Sequence, residues 1–101
     1  MKSHHYQSLI KWTGNKGKGT TSYASYDRSY DIIIENKPIL KGSADPAFRG
    51  NADLHNPEDL FLVSISSCHM LWYLHLCAVN KITVIDYQDK ATAKMEETAE
   101  G

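Results

Sequence analysis

The first forty residues place apolar and polar positions in short alternating runs, which is the pattern of β-strands. Residues 6–12 alternate strictly, with tyrosine, isoleucine and tryptophan on one face. Residues 20–27 and 30–35 are rich in Thr, Tyr and Ile, which favour strands, and a short run follows at residues 39–40. Three glycines within residues 14–19 mark a loop. The pattern predicts a small antiparallel β-meander.

A long helix is predicted next, because residues that begin helices occur there in order. Asn56 is a good N-cap, Pro57 suits the first helical position, and Glu58 and Asp59 place negative charge in the first turn. Residues 60–79 are then apolar on nearly every face. A helix of this kind is expected to be buried on several sides.

The predicted elements on either side of this helix suggest an α+β fold. Residues 42–55 form a long irregular loop, and loops of this length in compact domains are often functional. Residues 82–87 and 90–95 are again strand-like. One meander covers only one side of an apolar helix, so a C-terminal half, a second subunit, or both, must cover the rest.

The helix is also long enough to span a bilayer, but its two histidines, three serines and flanking strands argue against a membrane protein.

Composition and charge narrow the class of protein. With 101 residues, 42% hydrophobic and 23% charged, the chain fits one soluble domain over residues 1–101. The formal net charge of −1 gives no reason to expect a nucleic-acid partner. The first residues do not resemble a secretory leader, and two cysteines are too few for a disulfide scaffold. We therefore expect a cytoplasmic, reducing location.

Cys68, near the middle of the predicted helix, is the candidate reactive group. Buried helix cysteines are usually inert, and a mid-helix position gains little from the helix dipole, so a thiolate there needs a cation from elsewhere. Arg49 in the preceding loop is the best candidate, and Glu58 could orient it through a bidentate contact. The alternative is that Arg49 is a solvated loop residue and Glu58 only complements the helix dipole. The sequence spacing of Arg49, Glu58 and Cys68 alone favours this alternative, in which neither residue acts on the thiol.

The second cysteine and the histidines suggest no further site. Cys77 lies nine residues after Cys68, on the opposite helix face and about 13 Å along the axis, so an intrahelical disulfide is excluded and a packed core residue is expected. His69 and His75 fall on different faces, and no metal-ligand spacing occurs. His69 could exchange a proton with Cys68, but a satisfied core histidine is the preferred interpretation. We expect neither a metal nor a cofactor.

Four segments together resemble the OsmC/Ohr family of osmotically inducible and organic hydroperoxide resistance proteins. N-P-E-D-L-F at residues 56–61 and S-S-C-H-M at residues 66–70 are similar to the family's helix motif. W-T-G-N-K-G-K-G-T at residues 12–20 and D-P-A-F-R-G at residues 45–50 are similar to its first hairpin and to the loop before the helix. The resemblance covers nearly all of the chain.

The resemblance implies a thiol-dependent peroxidase that reduces organic hydroperoxides or hydrogen peroxide. Cys68 would match the peroxidatic cysteine, Arg49 the arginine that stabilises the thiolate, and Glu58 the acidic partner of that arginine. The implied fold is an α+β intertwined homodimer, with the meander packed on a long buried helix. Family members carry a resolving cysteine in a C-terminal half that this chain lacks, so the reductant would be an external thiol. The alternative is a non-enzymatic OsmC-like module that binds a small ligand or dimerises.

Overall fold

The structure, a computed structural model, describes residues 2–99 and contains three strands and one long helix. The strands are β1 (Leu9–Trp12), β2 (Tyr30–Ile33) and β3 (Leu40–Gly42), and the helix is α1 (Pro57–Val79). The chain divides into two compact units, one ending at Pro57 and the other beginning at Glu58. The first unit holds the sheet and the second holds all of α1 but its first residue.

The predicted antiparallel meander is confirmed, with the strands in the order β1-β2-β3. Trp12 is opposite Tyr30, and Tyr30 is opposite Gly42, so Tyr30 on the central strand is paired on both sides. The close approach of the Tyr30 ring explains the glycine on β3, because a Cβ at Gly42 would lie 2.6 Å from that ring. The first predicted strand is shorter than expected, because residues 6–8 are not in a strand.

The predicted strand at residues 20–27 is wrong, because this segment folds into turns that satisfy its own backbone. The Ser25 hydroxyl donates to the carbonyls of Gly19 and Ser22 at 2.9 and 2.8 Å, and the Arg28 guanidinium binds further carbonyls nearby. Side-chain hydrogen bonds of this kind compete with strand pairing. A single antiparallel bridge, Asn15 to Tyr26, is all that remains of the expected pairing.

The loop before the helix is irregular as predicted, but it is not loose. A short 3-10 turn at Pro46–Phe48 is capped by the Asp45 side chain, which accepts from the Ala47 amide at 2.8 Å. The Ser43 amide donates to the His55 carbonyl at 2.9 Å and so closes the base of the loop. These bonds hold the loop backbone in one conformation.

Helix α1 begins and ends where the sequence predicts. Pro57 is its first residue and Glu58 and Asp59 lie in its first turn. At its C-terminus, Lys81 adopts a left-handed conformation with φ of 60°, and the Ile82 amide donates to the Cys77 carbonyl at 2.8 Å. This is the Schellman arrangement that satisfies the last carbonyls of a helix.

Most of α1 is exposed among the residues that the structure describes, so its expected burial, which a C-terminal half or a second subunit would supply, stays a prediction. Cys77 is its one buried residue there, whereas Phe61, Leu71 and Trp72 are 69%, 63% and 62% exposed. These side chains are exposed because few residues of the second unit pack against the helix. By length and composition alone α1 could cross a bilayer, a test that core helices of soluble proteins also pass.

The predicted strands at residues 82–87 and 90–95 are also wrong, since no strand occurs among residues 82–99. A strand needs a paired neighbour, and none is provided for this segment. It is attached to α1 by side chains instead. The rings of Tyr73 and Tyr87 lie 5.7 Å apart, and the Ser66 hydroxyl donates to Asp89.

Candidate functional site

Cys68 lies on an exposed face of α1, in an open depression of about 520 Å³. The depression is lined by Ser67, Cys68, Leu71, Trp72 and His75. Residues three, four and seven positions after Cys68 share its helix face, which explains why these side chains surround the thiol. The thiol is therefore reachable by a small molecule, beside the apolar side chains of Leu71 and Trp72.

His75, and not His69, is the histidine on the face of Cys68. Its imidazole stacks on the indole of Trp72, with ring centroids 5.2 Å apart and planes inclined by 24°. Seven residues correspond to almost two full turns, so His75 lies about 10 Å from Cys68 along the axis. The role of His75 beside Cys68 was not predicted from the sequence, where it was considered only with His69 as a possible metal pair. The signal that could have revealed it is its spacing of seven residues from Cys68.

Glu58 lies ten residues before Cys68, in the exposed first turn of α1. That spacing corresponds to about 15 Å along the helix axis. Glu58 therefore does not contact the thiol directly. The resemblance implies that Glu58 acts through Arg49, and this role stays a prediction.

Arg49 lies in the first unit, directly after the 3-10 turn, where its φ of 62° is unusual for a residue with a side chain. Its amide donates to the Pro46 carbonyl at 3.1 Å, so the backbone at this position is fixed. The expected group of Arg49, Glu58 and Cys68 draws on both units, and its assembly stays a prediction.

Cys77 is buried, with 6% of its surface exposed, in agreement with the prediction of a packed core residue. Both cysteines are free thiols. Tyr73, one helical turn before Cys77, has a pKa above its ordinary value. The larger cause is its hydrogen bond to the Cys77 thiol, and the second is the charge of that thiol when it is ionised. Cys77 thus interacts with a phenol and lies apart from the depression that holds Cys68.

No three His, Cys, Asp or Glu side chains within residues 2–99 come together as a possible metal site. The lining of the Cys68 depression likewise contains no carboxylate. The chemistry available on this face is that of a thiol, a hydroxyl, an imidazole and two apolar side chains.

Comparison with known proteins gives a match in structure. No protein-family model matches the chain, and no curated protein matches it. A solved structure of an OsmC-like protein of unknown function from Vibrio cholerae matches with a TM-score of 0.83 and 22% sequence identity. The match covers 98% of this chain and 66% of that one, so this chain spans less than two thirds of the length of the protein it matches. The match confirms the predicted α+β fold and the resemblance at the level of the fold.

Proposed function

We propose that this chain, which has an OsmC-like fold, is a thiol-dependent peroxidase in which Cys68 reduces hydroperoxides. The observation that carries the proposal is the position of Cys68 on an exposed helix face, in an open depression with apolar walls. A structural cysteine is normally buried, as Cys77 is in the same helix. The contrast between the two thiols supports a chemical role for Cys68.

The proposed reaction begins with the Cys68 thiolate attacking one oxygen of the peroxide O–O bond. A sulfur–oxygen bond forms, the O–O bond breaks, and the second oxygen leaves as an alcohol after taking up a proton. Sulfur is oxidised by two electrons to a sulfenic acid, and the peroxide is reduced by the same two. An external thiol then condenses with the sulfenic acid and releases water. A second external thiol resolves the mixed disulfide and restores Cys68.

Arg49 and Glu58 are the proposed supporting residues. A thiolate in the middle of a helix receives little help from the helix dipole, so a fixed cation is needed to favour it. The guanidinium of Arg49 would stabilise the thiolate and polarise the peroxide, because it stays charged even when partly desolvated. Glu58 would orient that guanidinium through a bidentate contact.

The walls of the depression favour an organic hydroperoxide over hydrogen peroxide. Leu71 and Trp72 beside Cys68 offer apolar surface that can hold a hydrocarbon group but gives hydrogen peroxide no advantage. His75, stacked on Trp72, adds an imidazole to the lining of the same depression.

The proposed partners are a second copy of the chain and an external thiol reductant, in a cytoplasmic location. Exposed apolar residues on α1 support self-association, since large exposed apolar surfaces commonly mark interfaces. The external reductant is proposed because Cys77 is buried and lies about 13 Å along the axis from Cys68, too far to resolve its sulfenic acid.

The same exposed apolar surface supports a second candidate function, a non-enzymatic OsmC-like module that dimerises or holds a small apolar ligand. In that case the depression beside Cys68 would bind a molecule without reacting with it. The two functions differ in one property, namely whether the Cys68 thiol consumes peroxide.

The test compares Cys68→Ser with the matched variant Cys77→Ser in the full chain. Each is mixed with cumene hydroperoxide and a small dithiol, and the peroxide that remains is measured over time. We expect Cys68→Ser to lose consumption above the background rate, and Cys77→Ser to keep it. Equal rates in the two variants would leave the binding module as the better account.

A further inference from the structure

The first unit contains a small polar pocket. Its volume is about 190 Å³, which suits a small polar group but not a whole cofactor. Two arginines, Arg28 and Arg49, line it together with Ser29, Ser43 and Asn51. Two cations and several hydrogen-bond donors around one small space are the composition of an anion site.

Arg28 is held in place by two backbone carbonyls and two aromatic rings, and it also lines the pocket. One terminal nitrogen donates to the Tyr26 carbonyl at 2.6 Å, and the other donates to the Tyr23 carbonyl at 2.7 Å. The rings of the same two tyrosines lie 3.8 and 4.4 Å from its central carbon. A guanidinium has five N–H donors, so three remain after these bonds.

Arg49 reaches the pocket from a backbone that is equally fixed. Its φ of 62° places a non-glycine residue in the left-handed region, which costs about 1 kcal/mol and tends to occur at functional sites. The next residue allows no side chain, because a Cβ at Gly50 would lie 1.6 Å from the Ala44 carbonyl oxygen. The Gly50 amide donates to the Asp45 carbonyl at 3.1 Å.

Ser43 supplies a buried donor at the same pocket. It is 1% exposed, and its hydroxyl oxygen accepts from the Asn51 amide at 3.0 Å. Among residues 2–57, no hydrogen bond donated by that hydroxyl is found. A hydroxyl that accepts one hydrogen bond can still donate its own proton, so Ser43 can donate to a bound acceptor.

The charge of the lining is positive and is not balanced within the first unit. Asp27 is the one acidic side chain in the lining, and its carboxylate lies 3.2 Å from the Lys16 ammonium. No carboxylate of the first unit forms an ion pair with Arg28 or Arg49. Two guanidinium groups that have no carboxylate partner among residues 2–57 favour a bound anion.

We propose that this pocket binds an oxyanion, a carboxylate or a phosphate group, through Arg28, Arg49 and Ser43. Both groups accept paired hydrogen bonds from arginine, and either has the size of the pocket. The proposal does not depend on peroxidase activity. A chain without a reactive Cys68 would still bind the anion.

The test is a titration of the ¹⁵N-labelled full chain with inorganic phosphate and, separately, with acetate. The amide signals of Ser29, Gly50 and Asn51 are followed by NMR at constant ionic strength. We expect them to shift and saturate with at least one of the two anions. Saturation with phosphate alone, or with acetate alone, identifies which oxyanion the pocket prefers.

Three variants make the test specific. Arg49→Asn removes the charge but keeps a residue that tolerates a left-handed backbone, so the loop is expected to fold normally. Arg28→Gln removes the other charge, and Lys41→Gln removes an exposed lysine that does not line the pocket. Binding should weaken at least about tenfold in each arginine variant and stay unchanged in Lys41→Gln, because a charge-assisted hydrogen bond is lost.

Two results would overturn the proposal. One is a shift that grows linearly without saturating for both anions, which indicates only general salt effects. The other is equal affinity in wild-type protein and in folded Arg49→Asn. If Arg28→Gln fails to fold, Arg49→Asn alone decides between these results.

Discussion

The hydroxyl of Ser66 donates a hydrogen bond of 2.6 Å to a carboxylate oxygen of Asp89, 23 positions further along the chain. This bond joins the extended C-terminal segment to α1, two residues before Cys68. Together with the Tyr73–Tyr87 ring contact it is what orders a segment that has no strand partner. The C-terminal segment is therefore held by a few side chains and not by a backbone ladder.

Asp89→Ala should release this segment from the helix. Loss of one exposed charge-assisted hydrogen bond costs about 1 kcal/mol, so cleavage of the chain after Tyr87 by chymotrypsin is expected to become about fivefold faster. The rate of cleavage, followed by mass spectrometry, checks this. Glu97→Ala, in the same segment, is the control and should leave the cleavage rate as it is in the wild-type protein.

Gly50→Ala should destabilise the first unit strongly. The added Cβ would lie 1.6 Å from the Ala44 carbonyl oxygen, so the loop backbone must move, at a cost of about 3 kcal/mol in unfolding free energy. Gly19→Ala is the matched control: it is also strained, with φ of 53°, but meets no atom within 4 Å. Its expected cost is about 1 kcal/mol. Urea denaturation that gives equal costs would contradict the loop geometry described above.

The Tyr73–Cys77 interaction predicts a stability that falls at alkaline pH. Because the fold raises the pKa of Tyr73, the folded state keeps this proton when the unfolded state loses it. The contribution is present below the ordinary tyrosine pKa of about 10 and is lost as pH rises through the higher folded value. Tyr73→Phe should remove this part of the pH dependence. In Cys77→Ala, an ultraviolet titration should find the pKa of Tyr73 lowered towards its ordinary value.

Self-association through α1 is a further prediction. Phe61 is 69% exposed on the helix, so Phe61→Asp should weaken a dimer at least about tenfold if this surface lies in the interface. Sedimentation over a range of protein concentrations measures the change. Ile39→Asp, an equally apolar and 55% exposed position in the first unit, is the comparison. An unchanged dimer affinity in Phe61→Asp would contradict an interface at this part of α1.

The helix and the sheet were predictable because their signals are local. Asn56, Pro57 and two acidic residues mark the start of α1, and the long apolar stretch after them fixes its type. The meander follows from short runs with turn residues between them. Such signals depend on neighbours in sequence, so they can be recognised without knowing the tertiary structure.

The errors arise where a tertiary partner decides the outcome. Residues 20–27 have strand-forming composition, but Ser25 and Arg28 bind carbonyls in the same loop and replace strand pairing. Residues 82–95 have the same composition and find no strand to pair with. Cys68 is a candidate from the sequence, and the spacing of seven residues places His75 on its helix face. The stacking of His75 on Trp72 depends on side-chain conformation, which the sequence pattern does not specify.

The central claim, that Cys68 is a peroxide-reactive thiol, is tested most directly by trapping its first product. The full chain is treated briefly with cumene hydroperoxide in the presence of a sulfenic-acid trap, and the labelled peptides are mapped by mass spectrometry. We predict rapid labelling at Cys68 and none at the buried Cys77. Folded protein labelled at neither cysteine, or equally at both, would contradict the account.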